Sequence, residues 1–199
     1  MKNKIYNIIL IILGIVLLVV ITLIAIKYGR NQINEKNLHS VVDELKTQIE
    51  QVGNNEELKQ VQVEYQGYNA VGIISIPAIG IEYPILDTTN EKTMKVAITK
   101  FWGNDVNELG NFTMAGHNNK DGTMFGKTKR LNIGDKINMT DLTGRTLEYE
   151  IFDQYLIDPN DVSCVKSVKE STREVTLITC ANGRSNRLIT KAREVIKNN

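Results

Sequence analysis

The sequence holds few of the residues that most narrow a function. Of 199 residues, only two are cysteine, two histidine, three proline and one tryptophan. Proline and glycine are too sparse for a disordered or fibrous chain, and no repeat recurs at the periods of solenoids or propellers. Basic and acidic side chains number 24 and 23, for a net charge of +1. Without a basic excess there is no electrostatic footprint for nucleic acid, and none is expected as a partner. The acids Asp105, Glu108, Glu170 and Glu174 are scattered. A hard cation needs several oxygens at set distances, so these acids read as solvated surface; no metal and no cofactor is expected.

Charge is missing altogether from Ile8–Ile26, "IILIILGIVLLVVITLIAI". As a helix this run spans ~28 Å, close to the ~30 Å hydrocarbon core of a bilayer. It exceeds a signal-peptide core, and "AIKYGR" after it offers no small-x-small cleavage site. An uncleaved single-pass anchor is expected. Lys2 and Lys4 before the run balance Lys27 and Arg30 after it, so the charge rule does not orient it. A cytoplasmic N-terminus and an extracellular remainder are expected because the folded part that follows looks exported. Residues 1–30 then form the cytoplasmic tip and transmembrane anchor, 31–66 a helical juxtamembrane linker, and 67–199 the folded domain.

Within the linker, Leu38, Val42, Leu45, Ile49 and Val52 recur at steps of four and three, one narrow apolar stripe. Two heptads are too few for an autonomous coiled coil, so an amphipathic helix packing on the domain or dimerising weakly is expected. His39 reads as a solvated helix residue, and "GNNEELKQ", Gly53 to Gln60, as a break. From Tyr68 the period becomes that of strands. "AVGIISIPAIGIEYPILD" gives two β-rich runs around Pro77 and Gly80. "GNFTMAGH" alternates and ends at His117. "GDKINMTDLTGRTLEYEIFDQYLI" reads as a hairpin turning at Leu142-Thr143-Gly144. "EVTLIT" and "RLITKA" are two more. At least six short strands with few helical signals indicate an all-β-dominated, closed or partly closed barrel, preceded by a transmembrane and an amphipathic helix.

Cys180 lies at the end of an apolar, β-branched run, where a side chain meets a cleft mouth rather than a core. Acyl transfer through a thiol needs a nearby acid/base and positive charge for the oxyanion. His117, also at a strand end, is the only histidine inside the barrel segment. Arg184 and Arg187 follow Cys180 closely, and Arg187 opens the next strand, so a short loop returns it beside the sulfur. Taken singly, each has a plainer explanation: a buried small thiol, a satisfied loop histidine, a solvated arginine.

Taken together, "TLITC" (Thr176 to Cys180), "NRLITKA" after it and "AGHN" before it resemble the sortases, membrane-anchored cysteine transpeptidases of Gram-positive bacteria. The resemblance runs from about Val71 to the C-terminus. It includes "IGIEYPI", "FGKTKRLNIGDKI" and "YLIDPNDVSCV", and the N-terminal span fits the family's anchor. It implies catalytic roles for His117, Cys180 and Arg187, and substrate contacts by Thr179, Asn118 and Arg184. It also implies a thioacyl route in which an LPXTG-type sorting signal is cut between Thr and Gly. The protein would then pass to a cell-wall precursor or another primary amine. Opposite charges would lower the Cys180 pKa and raise that of His117, whereas a dry cleft would raise the thiol; the sequence does not decide between them. The segment Asp158 to Arg173 is expected to set the recognised motif. No Asp-Pro-aromatic lid precedes the barrel, which favours cell-wall anchoring over pilin polymerisation, with the subclass open between D and B. Two rival readings remain open on the sequence. One is a membrane-tethered hydrolytic cysteine protease. The other is a non-catalytic extracellular module closed by a Cys164–Cys180 disulfide.

Overall fold

The uncharged run lies in one long helix, α1, spanning Lys2–Asn54. The computed structural model describes residues 2–54, 61–166 and 171–196, and the chain divides into two units, 1–37 and 38–199. In the first unit the apolar side chains of α1 are exposed, and α1 is long and apolar enough to cross a membrane. The anchor and the stripe helix, expected as two elements, are continuous. Between Ile26 and Leu38 there is no proline and only Gly29 to weaken the helix. Of the expected break, residues 55–60 lie outside the described part.

In the second unit, the last turns of α1 lay the expected stripe on the barrel. Leu38, Val42 and Leu45 are buried, with Ile49 and Val52 partly so. Val41 is buried too, which widens the stripe. His39 is exposed, and its ring lies 6.3 Å from that of Tyr83. Val61 and Val63 join the same core just ahead of the first strand.

Nine strands follow among the described residues: β1 (Glu64–Tyr65), β2 (Tyr68–Ile76), β3 (Ile81–Leu86), β4 (Ile98–Trp102), β5 (Gly110–Ala115), β6 (Lys136–Asp141), β7 (Thr146–Ile157), β8 (Arg173–Ala181) and β9 (Asn186–Glu194). They pair in the order β1-β2-β3-β4-β5-β8-β9-β7-β6, and β6 pairs again with β2. That last pairing, Gly72 with Asp141 through Ser75 with Asn138, closes eight strands into a barrel. β1 only extends the edge of β2. The helices within the barrel are short 3-10 turns. Inward side chains such as Ile74, Ile85, Ile98, Met114, Ile137 and Leu177 fill the interior. β5 does not alternate between buried and exposed: Asn111 to Ala115 are all buried. It pairs in parallel with β8 and antiparallel with β4, and its outer face is covered as well.

The end of the barrel where β5 and β8 begin is tied by one side chain. Asn107, 2 % exposed, takes the left-handed conformation at φ 65, which asparagine tolerates better than most residues. Its amide donates to the carbonyls of Met139 and Arg145 and to the Asp141 carboxylate, and its Oδ1 accepts from the Tyr149 hydroxyl. Its backbone carbonyl accepts from the guanidinium groups of Arg145 and Arg173. One residue thereby joins the β6–β7 turn, the β4–β5 connection and the start of β8. Asn107→Ala strands several buried polar groups and strains the backbone. It should lower unfolding stability by roughly 3 kcal/mol or more, measured as a chemical-denaturation midpoint, whereas a surface asparagine such as Asn104 should tolerate the same change.

Candidate active site

The site is assembled by strand register. β5 and β8 run parallel with Thr113 beside Thr176 and Ala115 beside Ile178. β8 and β9 run antiparallel with Cys180 opposite Arg187 and Ile178 opposite Ile189. β9 and β7 place Arg187 opposite Ile157 and Ile189 opposite Tyr155. Cross-strand partners share a face, so the outer face carries a row Ile157–Arg187–Cys180. Below it lies an apolar row, Tyr155–Ile189–Ile178–Ala115. Extending the β5–β8 register by two positions carries residue 117 to the Cys180 end of the first row.

Backbone and side-chain bonds hold that extension. The Gly116 N–H donates to the Ile178 carbonyl at 3.1 Å. The Thr179 hydroxyl donates to the Gly116 carbonyl at 2.7 Å, and the Asn118 amide donates to the Cys180 carbonyl at 2.7 Å. The His117 carbonyl accepts from the Phe125 N–H at 3.0 Å. Gly116 is required by packing: a Cβ there would lie 2.7 Å from the ring of Phe125, which is wholly buried. Thr179 and Asn118, both expected to touch substrate, thus use their side chains to join the histidine segment to the cysteine strand. Thr179 is 4 % exposed.

His117, Cys180 and Arg187 are half-buried, and Arg184 is exposed. The β8–β9 turn that returns Arg187 is tight: Asn182, Gly183 and Arg184 are all left-handed, at φ 48, 65 and 84. The Arg187 guanidinium donates to the carbonyls of Arg184 and Asn186, both at 3.3 Å. Among the described residues no hydrogen bond joins His117 or Arg187 to the sulfur. Cys164 and Cys180 are both free, so the disulfide that a non-catalytic module would use is not formed; Cys164 is buried.

Burial holds the His117 pKa below the ordinary 6.5, and the positive charges of Arg184 and Lys95 push it the same way. That is the reverse of the upward shift expected from a neighbouring thiolate. The imidazole is neutral at pH 7. Because the unfolded chain takes up the proton more readily, this residue lowers folding stability as pH falls below 6.5. Among the described residues no group of three or more His, Cys, Asp or Glu side chains is placed to hold a metal ion. Of the scattered acids, Asp105 pairs with Lys100 and Glu108 with Arg145 at the surface. Glu170 lies outside the described residues. Glu174, expected to be solvated, is 1 % exposed and faces Lys191 and Arg193. Its position on the outer face of β8, beneath covering chain, explains the difference. Neither the apolar row nor the burial of Glu174 is signalled by the sequence, because outer barrel positions are ordinarily wet.

The sequence profile described as a sortase domain matches residues 74–195. Sortase A of Listeria monocytogenes is 32 % identical over 111 residues, 55 % of this chain and 49 % of that protein. Sortase A of Bacillus anthracis is 32 % identical over 117 residues, 58 % of this chain and 54 % of that protein. The chain thus spans about half the length of these curated relatives. A solved structure of a Clostridium perfringens sortase D5 transpeptidase superposes with a TM-score of 0.65 at 24 % identity, covering 80 % of this chain and 98 % of that one; at that identity it supports the fold.

The two histidines allow the electrostatics to be checked directly. The His117 ring resonance should titrate below pH 6.5, and Arg184→Gln should move the midpoint upward because a repelling charge is removed. An unmoved midpoint would place Arg184 away from the imidazole.

Proposed function

Because the chain belongs to the sortase family of cysteine transpeptidases, we propose that its reaction is carried by Cys180, His117 and Arg187. The observation that supports this reading is the register: Cys180 and Arg187 are direct cross-strand partners, and the β5–β8 pairing delivers His117 to the same end. The substrate is an LPXTG-type sorting signal lying extended over the outer face. Its apolar part meets the half-buried Tyr155 and Ile178 beside the reacting row.

His117, neutral at pH 7, takes the Cys180 proton. The thiolate attacks the Thr carbonyl carbon, forming a C–S bond and a tetrahedral oxyanion. Arg187 leaves its weak bonds to the turn carbonyls and donates to that oxygen. Collapse breaks the Thr–Gly C–N bond as the His117 imidazolium protonates the leaving amine. A primary amine of a cell-wall precursor then loses a proton to His117 and attacks the thioester, which expels the Cys180 thiolate. Burial disfavours the imidazolium, so the neutral imidazole is the form poised to accept the thiol proton. Thr179 and Asn118 hold the two strand ends together, and Arg184 faces the incoming peptide. α1 anchors the chain in the cell membrane with its N-terminus cytoplasmic and the barrel extracellular.

A fluorogenic sorting-signal peptide with and without an added amine tests the reading. Cys180→Ala should abolish cleavage, and Arg187→Ala should lower kcat by about 100-fold or more. Added amine should convert hydrolysed product into transfer product. Hydrolysis that ignores the amine would mean a protease, and cleavage surviving Cys180→Ala would remove the nucleophile.

A further inference from the structure

Away from the reacting row, the outer face of β5, β8 and β9 carries a polar cluster that the mechanism does not use. The chain leaves β7 at Ile157, the partner of Arg187, and therefore starts in the reacting row. It turns through Asp158, whose carboxylate accepts from the Asn160 N–H at 2.9 Å. Asp161 then accepts from the Ser163 N–H at 2.8 Å. Within and just after a 3-10 turn at Ser163–Val165, three consecutive carbonyls are gripped from below. The Asn111 amide, on β5, donates to Cys164 at 3.0 Å and to Val165 at 2.9 Å. The Lys191 ammonium, on β9, donates to Lys166 at 3.0 Å. The segment 158–166 is thus a strap that runs from the reacting row to β5. Residues on the outer face of these strands, Thr113, Thr176 and Ile189, are wholly buried.

The clamping side chains are themselves oriented. The Thr176 hydroxyl donates to Asn111 Oδ1 at 2.8 Å, which fixes the amide with its NH2 toward the strap. Lys191 is 6 % exposed and lies 3.8 Å from the Glu174 carboxylate, which Arg193 also meets at 3.4 Å. Buried ions are costly to desolvate, and an apolar cluster of equal volume would stabilise the fold as well. What such a network adds is a single defined position for the chain it holds.

We propose that Asn111 and Lys191 are specificity-positioning residues: they clamp the strap 158–166 so that it forms a rigid wall of the groove beside the Cys180 row, against which the substrate residues before the scissile bond are read. This rests on the transpeptidase reading. Neither residue lies in the reacting row, from which each stands several residues distant along its strand.

The test uses the full chain with a panel of sorting-signal peptides differing at one position. Lys191→Met and Asn111→Ala should raise KM by about 10-fold to 100-fold, as misplaced binding groups do, and flatten the preference across the panel. Both should leave kcat and the rate of Cys180 alkylation by iodoacetamide close to the parent. Lys191→Arg should restore much of the preference. Amide exchange at Val165 and Lys166 should quicken in the variants. Asn111→Ala keeps the Lys191–Glu174 pair whole, so it remains informative if Lys191→Met does not fold. Unchanged KM and preference would overturn the proposal. So would kcat and alkylation falling together, which would mark the cluster as general support. If the parent transfers no peptide, the transpeptidase reading fails separately, while amide exchange still reports whether the clamp exists.

Discussion

The parallel pairing of β5 with β8 is the constraint on which the site depends. The six residues Gly110 to Ala115 are matched one by one with Arg173 to Ile178. Beyond them, the Gly116 N–H, the Thr179 hydroxyl and the Asn118 amide continue the match with side-chain as well as backbone bonds. A slip of one residue would turn every side chain to the other face. Cys180 would then point into the barrel and Arg187 with it, since β9 follows β8. Asn107 at one end and Asn118 at the other hold this register from both sides.

The electrostatic character of the site follows from what surrounds it. Burial, and after it the positive charges of Arg184 and Lys95, holds the His117 pKa down, so the protein makes the charged imidazole unfavourable. The Arg187 guanidinium is occupied by turn carbonyls at long distances, bonds weak enough to exchange for a developing oxyanion. Both features leave charge to be created within the reaction rather than stored beforehand. Glu174, Lys191 and Arg193 lie farther along the same face as a separate, internally compensated group.

Much of this was readable in the sequence because the signals were local. The uncharged run Ile8–Ile26, the Leu38–Val52 stripe, the turn at Leu142-Thr143-Gly144 and the strands ending at Cys180 and opening at Arg187 each rest on neighbouring residues. The cross-strand match of Cys180 with Arg187 followed from the short loop between them. The β5–β8 pairing did not, because it joins segments about sixty residues apart and is parallel, so no turn chemistry announces it. β4 escaped notice because "ITKFW" is short and mixed in polarity. The roles of Thr179 and Asn118 were hidden for the same non-local reason: each bonds to a residue more than sixty positions away. Burial of Glu174 depends on covering chain that the strand pattern does not reveal.

The chemistry requires residues 117 and 180 to be neighbours. A disulfide forms only when the two Cα atoms lie within about 7 Å. In a His117→Cys, Cys164→Ser variant, mild oxidation should therefore join residue 117 to Cys180 within one chain, seen as the loss of both free thiols and a linked peptide pair. Two thiols that stay free and separately reactive under those conditions would contradict the register, and the site built on it.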